Sequence, residues 1–242
     1  MDFIITLENQ RIYSLKELGE KMYLYEDASE KLLTSGKFLR FLKEYDREKY
    51  NKLVELNHRT QEYEEFIFLA QYIFNPLMSI RHHGYRFDTF KELGMRILQF
   101  GPDIDIYLKD FLKYRLLSQY MELLEFNVSD PTLYAKVKDL EKMFSENENR
   151  AYFLLGFTLS ESKSIIYRNR IYDDIGMFFQ DMMRPSMIVP YSSLIEQNQY
   201  VLSWLIYLGH QKEVDHFQSL LNSLNMLEEN YERRRKVPEV VE

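Results

Sequence analysis

One short pattern occurs three times in this chain. A Ser or Thr, an apolar residue and then Lys-Glu-Leu-Gly stand at 14–19 and again at 89–94, and a looser copy ends at Gly176. The three glycines are 75 and 82 residues apart. Self-similarity at a fixed period is typical of tandem arrays of small modules, each too small to bury its own apolar face. The pattern therefore predicts an array of repeats and argues against the single core of a typical enzyme.

The scarcity of turn-forming residues predicts a mainly α protein. Only 8 of the 242 residues are glycine and 6 are proline, whereas a sandwich or barrel needs a turn about every 8 to 12 residues. The chain also contains 19 Tyr and 17 Phe, which supply large side chains for a core.

Charge and cysteine content limit the partners and cofactors. The net charge of −7 argues against nucleic acid as the main partner, because phosphate binding needs a basic surface. With no cysteine, disulfides and cysteine-ligated metal sites are excluded. Residues 1–6 lack the basic start and the long apolar run of a signal peptide. No window reaches the roughly 20 apolar residues of a membrane span, so we expect a cytoplasmic protein.

Each copy begins with a predicted β-hairpin, because two β-prone runs flank a turn that contains Asn or Gly. The paired runs are 4–7 and 11–13, 77–80 and 85–87, and 164–167 and 170–172. We place His82, His83 and Gly84 in the middle turn.

A short helix is predicted after each hairpin. Ser14 and Thr89 occupy N-cap positions, and Glu17 and Glu92 follow three residues later, which is the capping-box spacing. Asp173 and Asp174 begin the third of these helices. The shared glycine indicates either a close helix–helix approach or the end of the short helix.

Further apolar patterns predict the later helices of each copy. The second helix contains 38–42, 117–121 or 201–205, and these segments align Phe41 with Trp204, so we expect both rings to be buried. The third helix aligns Tyr50, Leu53 and Leu56 with Tyr134, Val137 and Leu140 and with Val214, Phe217 and Leu220. The more apolar segments 66–74 and 151–159 are predicted to be buried central helices.

The predicted fold is therefore three degenerate tandem repeats, each a short β-hairpin followed by about three helices. The repeats span 1–76, 77–159 and 160–242 and pack as one array. The third lacks the last apolar helix and has instead 224–227 followed by the charged segment 228–236, which is the polar cap that a solenoid needs at its end.

The histidines and carboxylates do not have the spacing of a known site. His210 and His216 are six residues apart, whereas a helical zinc pair is at i and i+4. His82 and His83 are adjacent in the hairpin, where we expect neighbouring side chains to point in opposite directions. The acidic clusters are interpreted as solvated helix faces: Glu62, Glu64 and Glu65, Asp103 and Asp105, Glu146 and Glu148, and Glu228 and Glu229.

Common catalytic signatures are absent too. The chain has no G-x-S-x-G motif, no Gly-rich phosphate loop and no cysteine nucleophile. We therefore predict no catalytic, cofactor-binding or metal-binding residue and no cofactor. An enzyme is the less favoured class.

The basic run Arg233–Lys236 has two interpretations. It could bind anionic lipid or nucleic acid electrostatically. We favour the alternative that these cations complement a helix C-terminus and balance Glu228, Glu229 and Glu232.

The first hundred residues resemble a helical module that recurs in bacterial multidomain proteins beside Hsp70-like and Ser/Thr-kinase-like domains. The resemblance lies in the Leu-Leu-x-x-Gly-x-x-x-x-Phe-Leu-like run within 32–42 and in the Asn-Pro and Gly-Tyr pairs at 75–76 and 84–85. It implies an accessory or scaffold role and assigns no catalytic residue.

These observations predict a non-enzymatic scaffold or adaptor that binds another protein. Tyrosine is enriched at protein interfaces, and seven tyrosines outside the clear helical pattern are candidates for a binding surface: Tyr23, Tyr25, Tyr45, Tyr63, Tyr107, Tyr114 and Tyr207. The alternative is an enzyme that uses Glu and Tyr side chains in a cleft between repeats. A third possibility is electrostatic docking through Arg233–Lys236.

Overall fold

The structure, a computed structural model, describes residues 4–167, 169–182, 195–210, 212–215 and 219. It is mainly helical and contains three two-stranded antiparallel hairpins, each followed by helices. The predicted fold class is therefore confirmed. Among the residues so described, no helix is long and apolar enough to cross a membrane.

The three hairpins have the same strand length and the same antiparallel pairing pattern. Their first and last residues pair as Ile5 with Ile12, Ile80 with Phe87 and Ile165 with Tyr172. The strands are β1 (Ile5–Leu7), β2 (Gln10–Ile12), β3 (Ile80–His82), β4 (Tyr85–Phe87), β5 (Ile165–Tyr167) and β6 (Arg170–Tyr172). The placement of His82 in the turn was wrong, because it pairs with Tyr85 as the last residue of β3.

Five α-helices follow the first hairpin. They are α1 (Leu15–Lys21), α2 (Glu26–Leu33), α3 (Gly36–Tyr45), α4 (Arg47–Arg59) and α5 (Tyr63–Phe74), with a 3-10 helix at Met22–Leu24 between α1 and α2. The Glu17 N–H donates to Oγ of Ser14 over 3.0 Å, and Oε2 of Glu17 accepts from the Tyr13 N–H over 2.8 Å. The predicted cap at Ser14 is thus formed.

Six α-helices follow the second hairpin. They are α6 (Phe90–Leu98), α7 (Ile106–Lys113), α8 (Leu116–Leu123), α9 (Phe126–Ser129), α10 (Pro131–Phe144) and α11 (Glu148–Ser160). The cap repeats the first one, because the Glu92 N–H donates to Oγ1 of Thr89 and Oε2 of Glu92 accepts from the Asp88 N–H.

After the third hairpin, the described chain contains α12 (Ile175–Met182), α13 (Ile195–Tyr207) and a short helical segment at 212–215. Asp174 caps α12 by accepting the Met177 N–H over 2.7 Å. Val214 is buried as the aligned pattern predicts. The predicted polar cap at 224–236, which includes Arg233–Lys236, lies outside the described residues, as do Phe217 and Leu220.

The chain divides into two compact units. Unit 1 comprises Met1–Glu92 and Asp105–Glu146, and unit 2 comprises Leu93–Ile104 and Asn147–Glu242. These units are defined by contacts in space, whereas the repeat boundaries at 76 and 159 are defined by similarity along the sequence. The repeat boundaries therefore stay a prediction.

The two apolar helices are buried as expected, α5 in unit 1 and α11 in unit 2. The repeated glycines are points of close helix contact with them. A Cβ on Gly19 would lie 2.6 Å from the Gln71 backbone oxygen in α5, and one on Gly94 would lie 2.8 Å from the Gly156 oxygen in α11. Of the two interpretations of the first two glycines, the close approach is therefore correct.

The aligned aromatic residues differ in burial. Trp204 is fully buried in unit 2, whereas Phe41 in unit 1 is only partly buried. The expectation of a buried Phe41 was wrong, because its ring stacks on that of the exposed Tyr45, with the ring centroids 5.3 Å apart.

Candidate functional site

A cluster of two histidines and two carboxylates lies in unit 1, where three distant segments meet. Glu26 is the first residue of α2, His82 ends β3, His83 is in the following turn and Asp110 is in α7. Backbone contacts hold the second hairpin against the segment before α2, because the Gly84 N–H donates to the Tyr23 oxygen over 3.1 Å.

Asp110 contacts both imidazoles on the same side of the cluster. Its Oδ2 lies 3.1 Å from Nε2 of His82 and 3.3 Å from Nε2 of His83. Because an ionised carboxylate only accepts hydrogen bonds, each Nε2 carries a hydrogen. In both rings the other nitrogen, Nδ1, lies on the side of Glu26.

Glu26 contacts the rings on the opposite side. Its Oε2 is 2.9 Å from Nδ1 of His83, and its Oε1 accepts the His83 backbone N–H over 3.0 Å. Oε1 is 3.9 Å from Nδ1 of His82, which is beyond hydrogen-bond distance. The two imidazoles thus lie between two carboxylates.

The electrostatics of the cluster favour a cation at His83. Burial disfavours the imidazolium, but hydrogen bonds to Asp110 and Glu26 raise the pKa of His83 to about 9. Burial also acts against ionisation of Asp110, and hydrogen bonds from both histidines nevertheless hold its pKa below the ordinary value. At neutral pH the cluster therefore contains an ionised Asp110 and a protonated His83.

Aromatic rings surround the histidines. His82 is 2% exposed and its ring centroid lies 5.8 Å from Phe68 and 5.4 Å from Phe111. The His83 ring is 4.7 Å from that of Tyr107. The side chains are thereby held in place around the carboxylates.

The expected opposite orientation of His82 and His83 was wrong. His83 has a φ of 44°, so the alternation of a regular strand ends at this residue and its ring comes within 4.2 Å of the His82 ring. One ligand atom each of Glu26, His82 and His83 lies within 4.8 Å of the others. The predicted absence of a metal site stays a prediction.

A cavity of about 600 Å³ adjoins the cluster. Glu26 and His83 form part of its wall, together with three tyrosines: Tyr23, Tyr25 and Tyr107. All three are among the seven tyrosines selected from the sequence. The cavity lies between elements of the first and second repeats, within unit 1.

A second candidate site is a groove formed by α4, α5 and α8 of unit 1, with a volume of about 340 Å³. Its apolar lining residues are Leu56, Leu69, Ile73 and Leu123. Leu123 is 56% exposed, so part of this lining faces solvent.

Polar and charged side chains also line the groove. Lys52, Glu55 and Arg59 project from α4, and Gln119 and Glu122 from α8. An apolar centre with a charged rim is the usual anatomy of a protein interface. The repeat pattern gave no indication of this groove, because its walls come from helices of two different repeats.

Comparison with known proteins gives no relative for this chain: no family model, no curated protein and no solved structure matches it. The resemblance of the first hundred residues to the bacterial helical module therefore stays a prediction.

Proposed function

We propose that this chain is a non-enzymatic scaffold that binds another protein in the groove between α4, α5 and α8. The observation that carries the proposal is the partly exposed Leu123 beside the buried Leu56 and Leu69 in one lining. Apolar residues that remain exposed within a polar rim are characteristic of binding sites for other proteins.

The proposed ligand is an amphipathic helix of the partner. Such helices fill grooves with apolar residues at i, i+3, i+4 and i+7, and Leu56, Ile73 and Leu123 offer the corresponding contacts. Arg59 on α4 favours an acidic residue beside that apolar face. The exposed charge pair would set orientation more than affinity, since such pairs contribute about 0.2–1 kcal/mol.

The composition supports a protein partner and a cytoplasmic location. A net charge of −7 supports a protein partner over nucleic acid, and the absence of cysteine suits a reducing cytoplasm. The implied accessory role of the similar bacterial module agrees with this proposal.

The test compares the full chain with two matched variants in a pull-down from lysate of the native cell. Leu123→Asp introduces a charge into the groove. Val128→Asp also replaces an apolar residue by aspartate, at a residue that is 77% exposed and does not line the groove. Circular dichroism establishes that both variants remain folded.

Support requires one stoichiometric partner that binds the wild type and Val128→Asp and is lost with Leu123→Asp. Arg59→Glu should reduce recovery less than Leu123→Asp does. Equal recovery by Leu123→Asp and the wild type would refute the groove as the binding site.

An enzyme is the second candidate, and the tyrosine-lined cavity beside Glu26 and His83 favours it. Groups with perturbed pKa values in a concave site are common in active sites. Turnover in a broad hydrolase and transferase screen, lost in Tyr107→Phe or His83→Asn, would support this candidate. Turnover that persists in both variants would eliminate the cavity as its site.

A further inference from the structure

We propose that Glu26, His82 and His83 form a binding site for a divalent transition metal ion, in which Asp110 orients both imidazoles. The metal site lies outside the groove, so the result of a metal-binding test leaves the proposed adaptor function unaffected. Four observations support the metal site: the ligand distances, the role of Asp110, the two acidic side chains and the adjoining cavity.

The distances suit a metal ion better than direct hydrogen bonding at His82. Zinc binds histidine nitrogen and carboxylate oxygen at about 2.0–2.2 Å, so an ion between two ligands separates them by up to about 4 Å. Nδ1 of His82 and Oε1 of Glu26 are 3.9 Å apart, within that span, and all three residues offer ligand atoms within 4.8 Å of one another.

Asp110 occupies the position of the carboxylate that orients metal-binding histidines. In such sites the histidine donates its second ring N–H to a carboxylate, which fixes the tautomer. Asp110 lies 3.1 and 3.3 Å from the Nε2 atoms of His82 and His83. Both Nδ1 atoms are thereby left on the side of Glu26.

Two acidic side chains flank the proposed ion position. Those of Glu26 and Asp110 are each 14% exposed, and both contact the imidazoles. Together they would offset the charge of a divalent ion bound by Glu26 and the histidines.

Two nitrogens and one carboxylate define the class of ion. Imidazole ligands suit zinc, iron, copper and nickel, whereas magnesium and calcium prefer oxygen ligands alone. The cavity beside Glu26 and His83 gives solvent access for a water as a further ligand. The ion would connect α2 to the second hairpin, and Asp110 would join α7 to the site through its contacts with both imidazoles.

The test is isothermal titration of the full metal-free chain with Zn²⁺, and with Mg²⁺ as the control ion. We expect one Zn²⁺ per chain with a Kd in the micromolar range or tighter, a rise in Tm on binding, and no comparable Mg²⁺ signal. Co²⁺ in place of Zn²⁺ should give a visible absorption band from nitrogen and oxygen ligation.

Four variants locate the ion. His83→Asn should weaken Zn²⁺ binding at least 100-fold, and Asn tolerates the positive φ at this residue. Glu26→Gln provides an independent loss of a ligand in case His83→Asn perturbs the hairpin. Asp110→Asn, a positioning change, should weaken binding about 10–100-fold. His58→Asn removes an exposed histidine of α4 and should have no effect.

Two results would overturn the proposal. One is Zn²⁺ binding no tighter than that of Mg²⁺. The other is wild-type Zn²⁺ affinity and an unchanged Co²⁺ spectrum in folded His83→Asn and Glu26→Gln proteins.

Discussion

Trp204 donates its indole N–H to the Lys163 carbonyl oxygen over 2.9 Å, which joins α13 to the start of the third hairpin. The aligned residue of the second repeat makes the equivalent bond, because the Tyr120 hydroxyl donates to the Met78 oxygen over 3.2 Å. Each acceptor lies two residues before the first strand of its hairpin. The similarity in sequence thus corresponds to the same contact in two repeats.

Replacement of the aligned aromatics should have unequal effects. Trp204→Ala should lower the free energy of unfolding by about 3–5 kcal/mol, because it empties a fully buried site. Phe41→Ala should lower it by only about 1–2 kcal/mol, since that ring is partly exposed. Urea denaturation measures both values, and equal losses would show that the two positions are equally buried.

The repeated glycines give a test of the helix contacts. Gly19→Ala and Gly94→Ala should each destabilise by about 1–3 kcal/mol, because a Cβ would press on the backbone of α5 or α11. Gly36→Ala is the matched control: nothing lies within 4 Å of its Cβ position, so it should be neutral or stabilise by up to about 1 kcal/mol. Thermal or urea unfolding compares the three. A gain of stability in Gly19→Ala would contradict the close approach of α1 and α5.

A buried carboxyl outside both candidate sites should make stability depend on pH. Burial raises the pKa of Glu141 from 4.5 to about 7, although the Ser118 N–H donates to its Oε1 over 3.0 Å. The folded state therefore binds this proton more tightly than the unfolded state does. The resulting stabilisation is complete below about pH 4.5 and is lost as the pH rises through 7.

Glu141→Gln should remove this dependence. The free energy of unfolding of the variant, relative to that of the wild type, should increase by on the order of 2 kcal/mol from pH 5 to pH 8. The reason is that the amide resembles the protonated acid and does not ionise. Urea denaturation at the two pH values measures the difference. The exposed Glu146→Gln is the control, and a Glu141→Gln difference no larger than that of the control would show that Glu141 is not responsible.

The local parts of the fold were predictable from sequence because their signals are local. The caps at Ser14 and Thr89, the hairpins and the apolar helices follow from residues a few positions apart. The burial of Phe41 was not predictable by alignment with Trp204, since burial depends on neighbours that the repeats do not share.

The candidate sites were harder to predict for the same reason. The histidine–carboxylate cluster joins Glu26, the pair at 82–83 and Asp110, which no short-range spacing connects. The positive φ of His83 reversed the expected side-chain direction. The Gly84 that follows in the turn was the one local sign of an unusual backbone there.

Amide hydrogen exchange of the free chain and of its complex with the recovered partner tests whether the groove binds a partner helix. We expect slower exchange in the complex within α4 and α8, at residues around Arg59 and Leu123, because a docked helix shields these segments. Protection confined to other surfaces, such as the exposed Ile171 of β6, with unchanged exchange in α4 and α8, would show that the partner does not bind in the groove.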